Sequence, residues 1–284
     1  MYTVVLVVEY DGTDFCGYQI QDNGRTVQGD LEKALSTLYN QEITITGCSR
    51  TDSGVHARGH VSSAVVPFYI PADRIPFALN AMLAPDISVR AARYIEDKDG
   101  KIFSPRFDTK GKRYVYRVYQ SKTRSPLYAR FAHHVTYDLD VEAMQEAAQY
   151  MVGEHDFASF CATGGSNVTT VRKVLSVNVK AEDVLVAAPV LFERGECEVE
   201  CEGEACAKSA STAGRQIAGR LIEIEVVGEA FLYNMVRIMA GTLVEVGSGK
   251  FVPGDVVKII EAKDRRKAGR TLPACGLTLE EVYY

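Results

Sequence analysis

Two hydrophobic periods take turns along this chain. Thr3–Tyr10 is a short apolar run rich in β-branched residues and predicts a strand. Val27–Asn40 places Val27, Leu31, Ala34, Leu35 and Leu38 on one face of a helix, with Thr26 positioned to cap it. Glu42–Cys48 alternates, with Ile43 and Ile45 on one side, and Gly59–Phe68 predicts a further strand. Arg74–Leu83, bounded by Pro71 and Pro85, predicts a short helix, and Ile87–Ile95 a strand. The order is β-α-β-β-α-β.

The second half repeats that order. Tyr114–Gln120 alternates tyrosine with valine and predicts a strand. Val141–Val152 predicts a helix ended by Gly153. Strands follow at Val174–Ala181 and Leu221–Val227, then a long apolar helix over Phe231–Val246. A surface helix at Gly254–Lys263 and a closing strand at Gly276–Tyr283 complete the repeat, with one helix extra. In the long helix, Phe231, Met235 and Met239 are expected in the core. The fold class is therefore α+β, two ferredoxin-like halves whose mixed sheets meet at a central cleft. The expected division is residues 1–105 and 106–284, with the crevice between them as the natural site. About residues 182–219 lack periodicity and read as an acidic insertion or an extended hairpin tip.

Charge sharpens this picture. The net formal charge is −5, but it is unevenly spread. Lys101–Arg130 holds nine Lys/Arg and one acid, whereas Ala181–Glu204 holds eight acids and one Arg. Without the acidic segment the rest of the chain is at +2. A basic stripe of that density is an electrostatic footprint for phosphates, or else a solvated, salt-bridged face. The chain has no apolar run long enough for a membrane span, and its start, with no basic n-region and an acid at Glu9, reads as a strand rather than a signal peptide. Seven cysteines suit free thiols in a reducing cytoplasm. Cys197, Cys201 and Cys206 lack the C-x-x-C spacing of a zinc site. His133 and His134, adjacent on a strand, face opposite sides and do not form a metal pair.

The candidate chemistry lies in "GCSRTDSGVHARGHV", Gly47–Val61, where a predicted strand gives way to a glycine-containing loop. Asp-Ser-Gly is ordinary turn chemistry. Yet Arg50, two residues before Asp52 on an extended segment, points to the same side, and a cation there favours an ionised carboxylate. Gly54 and Gly59 let a backbone or ligand approach closely. Such an aspartate is a candidate nucleophile or base. Arg237 interrupts an apolar helix and so calls for an anionic partner, either Asp52 or a substrate phosphate. Arg50, Arg58, His56, Lys110, Lys112 and Arg113 are candidate phosphate contacts, although a capped loop histidine is an equally good reading of His56.

"SRTDSGVHARGHV" resembles the signature loop of the tRNA pseudouridine synthases of the A family. "EYDGTDFCGYQIQ", "TVQGDLEKAL", "PRFDTKGKRYVYRVY", "GEHDFASF", "GEAFLYNMVRIMAGTLVEVGSG" and "AGRTLPACGLTLEEVYY" resemble other family segments in the same order, over nearly the whole chain. The resemblance implies isomerisation of uridine to pseudouridine at positions 38, 39 and 40 of the tRNA anticodon stem-loop. It places Asp52 at the catalytic aspartate, Tyr114 at the active-site tyrosine and Arg237 at the neighbouring arginine. It implies no metal or other cofactor, a homodimer with the tRNA anticodon arm lying across both subunits, and a cytoplasmic location. Tyr18 stands where the family often has tryptophan. Two rivals remain at this point: a non-catalytic RNA-binding module, and an aspartate-dependent nucleoside or glycoside hydrolase.

Overall fold

A computed structural model of the chain describes residues 1–96, 103–164, 168–187 and 215–284. The elements are β1 (Tyr2–Tyr10), α1 (Val27–Tyr39), β2 (Ile45–Gly47), β3 (His56–Val66), α2 (Ile75–Asn80), β4 (Ile87–Ile95), β5 (Gly111–Gln120), β6 (His133–Val135), α3 (Val141–Gln149), β7 (Gly153–Asp156), β8 (Val171–Ala187), β9 (Arg215–Gly228), α4 (Met235–Gly247), α5 (Asp255–Ala262) and β10 (Leu277–Tyr283). Among the described residues the strands form one mixed ten-stranded sheet, ordered β4-β1-β3-β10-β5-β9-β8-β7, with β2 against β3 and β6 against β5.

The two predicted repeats are both visible in that order. β1-α1-β2-β3-α2-β4 pairs its strands as β4-β1-β3-β2, and β5-α3-β8-β9-α4-β10 pairs them as β10-β5-β9-β8. The halves join through a short parallel contact, Thr278 opposite His56 and Leu279 opposite Ala57. β1 occupies one edge of β3 along almost its full length, so β2 and β10 must share the other. β2 takes Ser62–Ala64 and β10 takes His56–Ala57. Between them the sheet parts, and the chain leaving β2 runs through that opening.

Burial drives the helices into place. Thr26 accepts a hydrogen bond from the Gly29 N–H at 3.2 Å, which starts α1 as the sequence predicts. Val27, Leu31 and Leu35 are fully buried beneath it. α4 packs on α3 and β5. It buries Ile238, Met239 and Leu243 completely, each worth roughly 1.5–3 kcal/mol of apolar transfer. At Gly241 a Cβ would overlap the Arg270 carbonyl, so only glycine lets the 268–275 segment lie this close to the helix.

Several boundaries differ from the sequence expectation. α4 starts at Met235 rather than Phe231, because Asn234 takes a left-handed backbone (φ 59°) and residues 232–235 form a turn closed by the Met235 N–H on the Leu232 carbonyl at 3.1 Å. β6 and β7 carry too few residues to show a period. β8 and β9 run past their predicted ends, pairing Glu182 with Leu221 and continuing to Ala187 opposite Arg215. Residues 188–214 of the acidic stretch, with Cys197, Cys201 and Cys206, lie outside the described residues.

Candidate active site

The segment that leaves β2 carries the aspartate. Its first residue stays tied to β3, with the Cys48 N–H donating to the Val61 carbonyl at 2.8 Å. It then turns back at Asp52–Val55, where the Val55 N–H donates to the Asp52 carbonyl at 3.1 Å and Gly54 takes φ +78°. A side chain at Gly54 would be strained by that backbone and would also press on Ala274.

Buried hydrogen bonds fix the loop from beneath. The hydroxyls of Tyr10 and Thr51 are 2.7 Å apart. The Tyr18 hydroxyl lies 2.8 Å from Ser62 Oγ, and Ser62 Oγ lies 3.2 Å from His60 Nδ1. His60 Nε2 is 3.0 Å from the Ser49 carbonyl, which makes Nε2 the protonated nitrogen and leaves Nδ1 to accept from Ser62. Tyr18 stacks on the His60 ring at 4.1 Å. Full burial lowers the His60 pKa to about 4, so this imidazole is neutral. Ser49 Oγ in turn lies 3.1 Å from the Tyr114 hydroxyl.

Asp52 opens onto a cleft of about 640 Å³. Its Oδ2 is 3.6 Å from Arg237 Nη1. Arg237 is held in the first turn of α4, its Nε donating to the Leu272 carbonyl at 2.8 Å and its Nη1 to Asn234 Oδ1 at 2.6 Å. The left-handed Asn234 and the close approach at Gly241 are therefore what aim the guanidinium. Burial pushes the Asp52 carboxyl above its ordinary value, and Arg237 offsets part of that rise. The cleft is also lined by Tyr114, whose ring meets Phe231 edge-on at 5.3 Å.

The structure brings Asp52, Tyr114 and Arg237 together, and it sorts the phosphate candidates. Arg50 lines the cleft with its side chain exposed, but the cation paired with Asp52 is Arg237, not Arg50. Lys112 shares the Tyr114 face of β5 and also lines the cleft, its pKa lowered by burial. Lys110 is exposed just before β5. Arg113 is one residue out of phase, on the opposite face, and pairs with Glu225 at 3.2 Å and Glu281 at 3.5 Å. Arg58 joins the same charged ladder through Glu280 at 3.7 Å. His56 is buried, with Nδ1 accepting from the Gly12 N–H at 3.0 Å and Nε2 at 3.2 Å from the Cys275 carbonyl. Both its nitrogens are thus engaged by the protein and not available to a phosphate. The basic stripe divides in the same way: Arg117 and Arg130 are held by acids, whereas Arg106 lines the cleft.

Residues 6–108 and 147–284 match the family described as tRNA pseudouridine synthase. The chain belongs to the tRNA pseudouridine synthase family. It is 39% identical to "tRNA pseudouridine synthase A" of Acetivibrio thermocellus over 284 residues, covering 100% of both chains. It is 42% identical to the protein of that name from Bacillus licheniformis over 279 residues, covering 98% of this chain and 97% of the relative. The protein of that name from Pelobacter propionicus is 39% identical over 284 residues, again covering 100% of both.

Within this member of the tRNA pseudouridine synthase family, periodicity misassigns Phe231. It was expected in the core with Met235 and Met239, which are buried, but it is only half-buried and forms cleft wall. Ser49, Arg106 and Tyr233 also line the cleft. Ser49 adjoins Arg50 in the chain, whereas Arg106 and Tyr233 lie eight and four residues before Tyr114 and Arg237, and such nearness alone does not say which way a loop side chain points.

Proposed function

We propose that this protein converts uridine to pseudouridine at positions 38, 39 and 40 in the anticodon stem-loop of tRNA. The observation that carries the reading is that Asp52 and Tyr114 line one cleft large enough for a flipped nucleotide, while Arg237, from a third stretch of chain, pairs with Asp52. The target base leaves its stack and enters the cleft, where the Tyr114 ring, backed by Phe231, offsets part of the unstacking cost. Asp52 initiates cleavage of the bond between N1 of uracil and C1′ of ribose. The freed base turns within the closed wall of the cleft and rejoins C1′ through C5. C5 loses its proton and N1 gains one, so atoms and electrons balance within the nucleotide and no redox partner enters the equation.

Arg237 steadies the negative charge on Asp52, which burial alone would discourage. Arg50, Lys110 and Lys112 supply phosphate contacts along the rim. In this reading residues 1–105 contribute the aspartate and residues 106–284 contribute the tyrosine and the arginine. The protein acts in the cytoplasm as a homodimer with the tRNA anticodon arm across both subunits. No helix among the described residues is long and apolar enough to cross a membrane.

The test is to map pseudouridine in tRNA from cells lacking this protein, restored with the wild type or with Asp52→Asn. Loss at positions 38–40 that the wild type restores and the variant does not is the expected result. An unchanged pseudouridine map in the deletion refutes the reading.

A further inference from the structure

Asp52 borders not one hollow but two. A second depression of about 330 Å³ adjoins the main cleft and shares Gln19, Arg50, Thr51, Asp52 and Tyr233 with it. Its own wall is added by Gln21, Asn23 and Ser53, among others. Its polar lining is carboxamide and hydroxyl rather than carboxylate, apart from Asp52 itself. The Gln19 and Asn23 amides make no hydrogen bond among the described residues. The wall is nonetheless rigid: Gln21 Nε2 donates to the Cys16 carbonyl at 2.7 Å, and Ser53 Oγ to the Phe15 carbonyl at 3.1 Å. Tyr233 offers a ring that is 43% exposed.

An aromatic face beside uncommitted amides is the chemistry that holds a nucleobase, by stacking on the ring and by hydrogen bonds to the base edge. The shared border carries the argument further. Arg50, exposed and in no ion pair among the described residues, lines both hollows. Two adjacent nucleosides of one strand are joined by a single phosphodiester, and a guanidinium between their two pockets meets that phosphate. We infer that the second hollow is a subsite for the base of the nucleotide adjacent to the target uridine, stacked on Tyr233 and hydrogen-bonded by Gln19 and Asn23, with Arg50 on the linking phosphate. This rests on the function proposed above and adds a contact that holds the strand beside the target whatever the neighbouring base, because a carboxamide both donates and accepts.

The experiment uses purified protein and synthetic RNA hairpins with one target uridine, intact or with an abasic site immediately 5′ or 3′ of it. For the wild type, removing the base on one of the two sides lowers kcat/KM about tenfold, the scale of one lost stacking partner. In Tyr233→Ala, intact RNA already reacts about tenfold more slowly, and the same abasic site costs less than a further twofold. Gln19→Ala, at an exposed position, repeats the comparison should Tyr233→Ala fold poorly. The subsite is refuted if neither abasic site costs the wild type more than twofold, or if the loss is equally large in both variants. Absence of any pseudouridine from wild type on intact hairpins would instead refute the underlying function.

Discussion

Arg237 Nη1 stands 3.6 Å from Asp52 Oδ2, and the same nitrogen donates to Asn234 Oδ1 at 2.6 Å. The guanidinium is thus anchored by the backbone and by its own helix start before it meets the carboxylate. The attraction is real, but burial outweighs it, since the net pKa of Asp52 is raised. A carboxylate in this balance adds no stability as the ion, which fits the chemical role proposed for it.

Asp52→Asn follows from that balance. A raised folded-state pKa means that the ionised form costs stability above that pKa, a cost relieved as pH falls through it. The neutral amide removes the cost at all pH values. We expect pseudouridine formation to be abolished, tRNA binding to persist, and the urea midpoint at pH 7.5 to be unchanged or higher. A clear drop in the midpoint would show that the ion pair with Arg237 dominates instead.

Lys112 and Arg113 are neighbours with opposite duties. Lys112→Ala, on the cleft face, should weaken tRNA binding and flatten the plot of log affinity against log salt by about 0.7–0.9 per lost phosphate contact. Arg113→Ala, on the far face with Glu225 and Glu281, should leave that slope alone and cost at most about 1 kcal/mol of stability. Filter binding across a salt series distinguishes them.

His60 gives the protein an acid sensitivity. Its pKa is lowered to about 4 from an ordinary value of 6.5, so the folded state refuses a proton that the unfolded chain accepts. Its contribution is fully present above pH 6.5 and is lost as pH falls toward 4, at up to about 1.4 kcal/mol per pH unit. Urea unfolding at pH 7.5 and pH 5 should show a smaller difference in His60→Gln than in the wild type. An equal difference would assign the sensitivity to other groups.

Gly54→Ala tests the turn that carries the aspartate. With φ +78° and Ala274 facing the new methyl group, the substitution should cost about 1–2 kcal/mol. Because the strained residue is two positions from Asp52, kcat should fall more than KM rises. A loss of stability with kcat intact would mean that the turn relaxes without moving the carboxylate.

Both repeats of the fold were legible because α1, β1, β4 and β5 are long enough for a period to show. The nearness of Asp52, Tyr114 and Arg237 was expected from the family resemblance, and an anionic partner for Arg237 also from physics, as a charge within an apolar helix. What the sequence hid was direction. His56 and Arg58 lie in the same motif as Arg50 and Asp52, which face the cleft, yet one is buried against Gly12 and Cys275 and the other joins Glu280 on the outer ladder. Parity along β5 separates Lys112 from Arg113, but only once the strand's start and its cleft-facing side are known. Phe231 was hidden for a related reason: one left-handed residue, Asn234, takes it out of the helix to which its spacing assigned it.

The joint between the halves has a consequence for biosynthesis. β10 comes after every other described strand in chain order, and it is wedged between β3 and β5. Asp52 is synthesised early, but the wall that faces it is not in register with its own half until residues 277–283 have left the ribosome. A nascent chain that has not yet delivered β10 therefore holds Asp52 before the strand carrying Tyr114 is joined beside it, and the cleft is completed late.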